Sequence, residues 1–186
     1  MKVLVTGASG QLGHDVCLEL EKRGIPFCAP ASKEMDITDC GAVLRYMEDT
    51  RPDAVIHCAA YTKVDLAEDE PEKCWAVNAD GTRNIAEACR KLGSRMLYIS
   101  TDYVFDGTAT TPYTEKIKTC PVSVYGKTKL AGEEAIIRSG CFYIIIRTAW
   151  LYSAFGHNFV KTILRLAEEV IRFEGDSHQL QEMKME

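Results

Sequence analysis

A chain of 186 residues, 46% hydrophobic and 26% charged, has an ordinary globular composition and enough length for one substantial core. Its net charge of −5 gives no reason to expect nucleic-acid binding, and no apolar run approaches the roughly 20 residues of a membrane-spanning helix. Eight cysteines without Cys-x-x-Cys spacing and four histidines without a ligand-spaced cluster argue for reduced thiols and against a metal site.

Apolar runs of strand length alternate with helical patterns along the chain. Val3-Leu4-Val5 predicts a strand at 2–5, so early that no secretory leader is expected before it and a cytoplasmic protein is the expectation. Leu12, Val16 and Leu20, at i, i+4 and i+8, predict a helix over 11–23. A short strand at 26–29 and a turn lead to a helix over 39–50, stopped before Pro52. Strands follow at 54–58 and 96–100, on either side of a long helical region at 70–91 with Pro71 near its start. A helix over 125–138, a strand at 142–147 and a helix over 158–170 complete the series. Such alternation predicts an α/β fold: a doubly wound parallel sheet covered by helices on both faces, of the Rossmann type. The irregular stretch 102–122 is long enough to predict a functional loop.

Gly7, Gly10 and Gly13 stand in the turn between the first strand and the first helix, within Thr6-Gly7-Ala8-Ser9-Gly10-Gln11-Leu12-Gly13. Glycines in this setting let backbone N–H groups approach a pyrophosphate at a helix N-terminus. An acid at the end of the second strand would bind the ribose 2′-OH of NAD; here Ser32 and Lys33 stand there, suiting a 2′-phosphate and favouring NADPH over NADH. Asp36-Ile37 reads equally as an adenine contact or as a helix-capping segment. After the third strand, Ala59-Ala60-Tyr61-Thr62 reads as a cofactor edge or as simple close packing.

Tyr125 and Lys129, at i and i+4, share one helix face. A free tyrosine titrates near pH 10, and a neighbouring ammonium is expected to lower that value, making Tyr125 a better acid–base. Thr101, at the end of the fourth strand, is placed to hydrogen-bond the same substrate carbonyl oxygen. Trp150, after the fifth strand, reads equally as a substrate contact or as core. Together, the turn and the Tyr/Lys pair point to reduction of a ketone or keto sugar by a nicotinamide cofactor.

These motifs resemble the extended short-chain dehydrogenase/reductase superfamily and, within it, the dTDP-4-dehydrorhamnose reductase family. The resemblance rests on Ser100-Thr101-Asp102-Tyr103-Val104-Phe105-Asp106-Gly107, on the run from Tyr125 to Glu133, on Trp150-Leu151-Tyr152 and on Gly156-His157-Asn158-Phe159-Val160-Lys161. It implies hydride transfer from NAD(P)H to C4 of a dTDP-linked 4-keto sugar. Tyr125 is then the proton donor, Lys129 binds the cofactor ribose, and Thr101 tunes the site. Asp102 and Tyr103 stand at the substrate, Trp150 contacts the sugar nucleotide, and Gly10-Gln11-Leu12, Asp36-Ile37 and Ala60-Tyr61-Thr62 line the cofactor.

The resemblance also implies subunits paired through helices as a homodimer. Members of the family are considerably longer. The expectation is therefore a cofactor-binding and catalytic domain at 1–169 and, at 170–186, only the start of a substrate part and a polar tail. Two other readings stand beside this one. A sugar-nucleotide dehydratase or epimerase of the same superfamily is disfavoured by Tyr103, where dehydratases carry an acid. A non-catalytic cofactor-binding protein is disfavoured by the retained Tyr125 and Lys129.

Overall fold

The computed structural model describes residues 1–169, so the start of a substrate part and the polar tail expected at 170–186 lie outside the described residues. A first compact unit spans Met1–Ala149, and a second begins at Trp150. In the first unit, the strands are β1 (Val3–Thr6), β2 (Phe27–Cys28), β3 (Ala54–His57), β4 (Arg95–Thr101) and β5 (Phe142–Thr148). All pair in parallel, in the order β2-β1-β3-β4-β5. The winding direction reverses between β1 and β3. At such a switch point the carboxyl ends of neighbouring strands open a crevice that ligands use.

Two apolar layers hold the sheet. On one face Leu4, Val55, Met96 and Tyr98 are buried with Val43, Met47, Ile85, Ala88, Cys89 and Ile136, which belong to α2 (Cys40–Thr50), α5 (Thr82–Leu92) and α6 (Val124–Ser139). On the other face Val3 and Val5 meet Val16 and Leu20 of α1 (Gln11–Lys22), the apolar stripe expected from their spacing. Cover on that side is partial. Phe142, Ile144 and Ile146 of β5 are exposed, unlike the buried central strands, so among the described residues of this unit no helix covers this edge on that face.

Caps fix the helix starts. Asp39 caps α2 by accepting from the amides of Gly41 and Ala42, while Asp36 turns back to accept from the amide and hydroxyl of Thr38. Ser123 caps α6 by accepting from the Gly126 amide.

The expected continuous helix at 70–91 is broken. Short helices α3 (Leu66–Asp69) and α4 (Pro71–Trp75) lead into a π-helical turn at Ala76–Gly81, and α5 follows. Pro71 starts α4, as its missing N–H allows at a first helical position. The wide turn carries buried Asn78, whose side chain leaves the helix to bond the Tyr61 backbone. Such turns recur at functional sites.

The stretch 102–122 is ordered by a 3₁₀ turn at Asp102–Val104, by Phe105 stacked on Tyr113 at 4.2 Å, and by Asp106, which accepts from Thr108 and Tyr113. In the second unit a helix occupies 159–169. Asn158 caps it by accepting from the Lys161 amide, and the ring of Trp150 meets Phe159 edge-on at 4.8 Å. Trp150 is exposed and holds φ +55°, a left-handed backbone that bulky residues adopt only under constraint. Among the described residues no helix is long and apolar enough to cross a membrane.

Candidate active site

The glycine turn forms a cradle whose dimensions exclude side chains. Gly7 holds φ +69°, and a Cβ on it would lie 2.6 Å from the Ala59 amide nitrogen. A Cβ on Gly13 would lie 2.2 Å from the Gly7 carbonyl oxygen. Strand β1 therefore turns into α1 directly against the end of β3. Gly10, the N-cap of α1, offers its first-turn amides no side-chain acceptor, and no acidic residue stands in that turn. These amides and the helix dipole fit the pyrophosphate of a dinucleotide.

Around this cradle the backbone of 59–62 is held from both sides. The Ala59 amide donates to Thr6 Oγ1 at 3.2 Å, and the Tyr61 amide donates to Asn78 Oδ1 at 2.8 Å. Asn78 Nδ2 donates to the Tyr61 carbonyl and to Thr128 Oγ1, both at 3.1 Å, tying the segment to α6. Ser32 and Lys33 are exposed after β2, and Glu34 there turns back to accept from the Ala31 amide at 2.8 Å.

Tyr125 and Lys129 occupy the first two turns of α6. Close seating of this helix requires two more glycines. A Cβ on Gly126 would lie 2.2 Å from the Tyr103 carbonyl, and one on Gly132 2.7 Å from the Asn78 carbonyl. The Thr101 hydroxyl acts on the Tyr125 phenol by favouring its ionised form, and the ring of Tyr103 packs edge-on against Tyr125 at 5.6 Å. Thr101 Oγ1 also lies 3.1 Å from the Asp102 carboxylate. The structure thus brings Thr101, Asp102, Tyr103, Tyr125 and Lys129 together beside the cofactor cradle. Trp150 belongs to the second unit.

The electrostatics differ from the expectation. Burial pushes Tyr125 up to about 12, against a smaller lowering by the Thr101 hydroxyl, and Lys129 does not depress it. Burial instead lowers Lys129 to about 7, opposed by the charge of Glu133. The ammonium is 2% exposed, donates to the Ile99 carbonyl at 2.7 Å and lies 4.1 Å from the centre of the Tyr98 ring.

A chain of buried polar groups, absent from the sequence reading, links the two halves of the site. Thr6 Oγ1 lies 2.7 Å from His57 Nδ1, and His57 Nε2 lies 3.1 Å from Thr82 Oγ1. Tyr98, whose ring stacks on His57 at 5.6 Å, donates its hydroxyl to the Lys129 carbonyl at 3.5 Å. Burial lowers His57 to about 3, so it stays neutral at physiological pH. Polar Thr6 and His57 within apolar strands were the available signal for this chain.

Comparison with known proteins agrees with this geometry. The family model described as RmlD substrate binding domain matches residues 1–180. A dTDP-4-dehydrorhamnose reductase from Streptomyces griseus is 45% identical over 181 residues, covering 94% of this chain and 59% of the relative. The crystal structure of dTDP-4-dehydrorhamnose reductase from Bacillus anthracis, in complex with NADP, superposes with a TM-score of 0.87 at 43% identity, covering 90% of this chain and 60% of that one. A dTDP-4-dehydrorhamnose reductase from Clostridium acetobutylicum superposes with a TM-score of 0.88 at 42% identity, covering 91% and 60%. The chain spans about 60% of the length of these relatives. With 180 of its residues inside the family model, the chain belongs to the RmlD substrate binding domain family, among relatives named dTDP-4-dehydrorhamnose reductase.

Proposed function

We propose that this protein reduces the C4 keto group of dTDP-4-dehydro-L-rhamnose to give dTDP-L-rhamnose, using NADPH. The observation that carries the reading is the grouping of Thr101, at the end of β4, with Tyr125 and Lys129, one helical turn apart on α6 and beside the glycine cradle. Bound NADPH supplies the hydride to C4. Tyr125 holds its proton at neutral pH and donates it from the phenol to the carbonyl oxygen as negative charge develops there. The Thr101 hydroxyl stabilises the same oxygen and then the phenolate left on Tyr125. Lys129 directs its ammonium to the cofactor ribose. Tyr125 recovers its proton from solvent, which balances the overall addition of hydride and proton.

Gly7, Gly10, Gln11, Leu12 and Gly13 hold the pyrophosphate, with Asp36-Ile37 and Ala59-Ala60-Tyr61-Thr62 along the adenine and ribose sides. Ser32 and Lys33 take the 2′-phosphate. The commitment of Glu34 to the Ala31 amide supports NADPH, because that carboxylate is turned back on its own loop. The NADP bound in the Bacillus anthracis relative supports the same choice. Asp102 and Tyr103 are assigned to the sugar nucleotide.

The test is NADPH consumption on addition of dTDP-4-dehydrorhamnose, followed by absorbance. Tyr125→Phe should lower turnover by roughly a hundredfold or more while leaving NADPH binding intact. Equal rates in the two proteins would sink the assignment of Tyr125.

A further inference from the structure

Glu133 lies one turn beyond Lys129 on α6, and it is 2% exposed. A carboxylate taken out of water is costly unless opposite charge and hydrogen bonds meet it. Here both oxygens are met. Ser100 Oγ donates to Oε1 at 2.5 Å, Arg147 Nε donates to the same oxygen at 2.9 Å, and Arg147 Nη2 donates to Oε2 at 2.6 Å. The guanidinium also lies 5.1 Å from the centre of the Phe105 ring.

The partners occupy informative places. Ser100 immediately precedes Thr101 in β4, and Arg147 pairs with Ser100 across the β4–β5 ladder. One carboxylate therefore joins the helix that carries Tyr125 and Lys129 to the ends of two strands, one of which carries Thr101. We propose that Glu133 is a positioning residue for the reduction: it fixes Thr101 against Tyr125 and supplies the negative charge that faces the buried ammonium of Lys129. This rests on the reading of Thr101, Tyr125 and Lys129 as the reducing site.

The surroundings of Lys129 single out Glu133. From β4 the ammonium meets the Ile99 carbonyl and the Tyr98 ring. From the β3 side it faces His57, held neutral, and Cys58, whose thiol burial pushes up to about 12. Cys74 faces it from α4, and Glu133 from its own helix. Glu133 is the carboxylate among these groups, and its charge opposes the lowering of Lys129 by burial.

A purely structural clamp and a charge-bearing one respond differently to two variants. Arg147→Gln leaves the Glu133 charge without its cation. Glu133→Gln with Arg147→Gln removes both charges and keeps two amides able to pair. The measurement is NMR titration of the Lys129 side-chain ammonium, assigned with Lys129→Arg, alongside thermal melting and NADPH affinity. Lys129 is expected to titrate at higher pH in Arg147→Gln and at lower pH in the double variant. NADPH affinity at about pH 8 should weaken about tenfold in the double variant, the equivalent of one charge-assisted hydrogen bond. Shifts of the same sign, or no shift in folded protein, overturn the proposal. If the double variant fails to fold, the upward shift in Arg147→Gln decides alone. Absence of NADPH binding by the unaltered chain would count against the cofactor reading, while the titration still decides the role of Glu133.

Discussion

Burial keeps the proton on Tyr125, as its proposed role of proton donor requires. With its phenol pushed up to about 12, the acid form persists well beyond neutral pH, and Thr101 is the group placed to ease release. Thr101→Val keeps the shape and removes the hydroxyl, so turnover should fall roughly tenfold to a hundredfold with little change in KM. A rise in KM alone would mean that Thr101 merely binds substrate. Lys129, lowered to about 7, sets a second limit. NADPH affinity should decline as pH rises through about 7, because neutral Lys129 offers the ribose an amine in place of an ammonium, and Lys129→Met should flatten that decline. Titration of cofactor fluorescence at several pH values checks both. At this scale the placement of Tyr125 and Lys129 on one helix and of Thr101 at a strand end was legible, because their spacing and strand-end context are written in the chain. Their ionisation was not. The i, i+4 separation predicts a pairwise charge effect, but desolvation depends on Gly126 and Gly132 seating the helix against Tyr103 and Asn78.

Among elements, α6 and the π-helical turn act as a unit, since both close on 59–62 and on the floor of the site. Asn78 makes this connection with buried hydrogen bonds to the Tyr61 backbone and Thr128. Asn78→Ala leaves the Tyr61 amide and carbonyl without these partners. A stability loss of about 1–3 kcal/mol is expected, together with weaker NADPH binding, because the freed segment borders the cradle. Urea unfolding and cofactor titration measure the two effects. A stability loss without any loss of affinity would confine Asn78 to the scaffold. The strands and the helices α1, α2 and α6 were legible to within a residue or two at each end, since their apolar periodicity and caps are local. The break at Ala76–Gly81 was not, because it answers to Tyr61 and Thr128, distant in sequence, and a window of helix-forming residues carries no mark of them. The exposed face of β5 was also illegible, since Phe142, Ile144 and Ile146 read as buried in any count of hydrophobicity.

For the whole molecule, the site imposes a pH dependence on folding. Lys129 titrates at about 7 when folded, against 10.5 as its ordinary value. Between these pH values the unfolded chain binds more protons than the folded one, so stability rises with pH. Lys129 therefore contributes a destabilisation that is fully present below about 7 and fades as pH approaches 10.5. His57 behaves likewise in acid: neutral when folded until about 3, against an ordinary 6.5, it costs nothing above 6.5 and destabilises progressively as pH falls toward 3. Both buried bases penalise acid, and neutral His57 bridges Thr6 and Thr82. Lys129→Met replaces the ammonium with an uncharged side chain of similar length and so removes one of these contributions. Its advantage over the unaltered protein in urea midpoint should be larger at about pH 7 than at about pH 9. Taking the difference between the two proteins cancels the tyrosines and thiols, which titrate in both. A difference that stays constant across this range would mean that Lys129 is solvated in the folded protein, and the enclosed site described here would have to open to water.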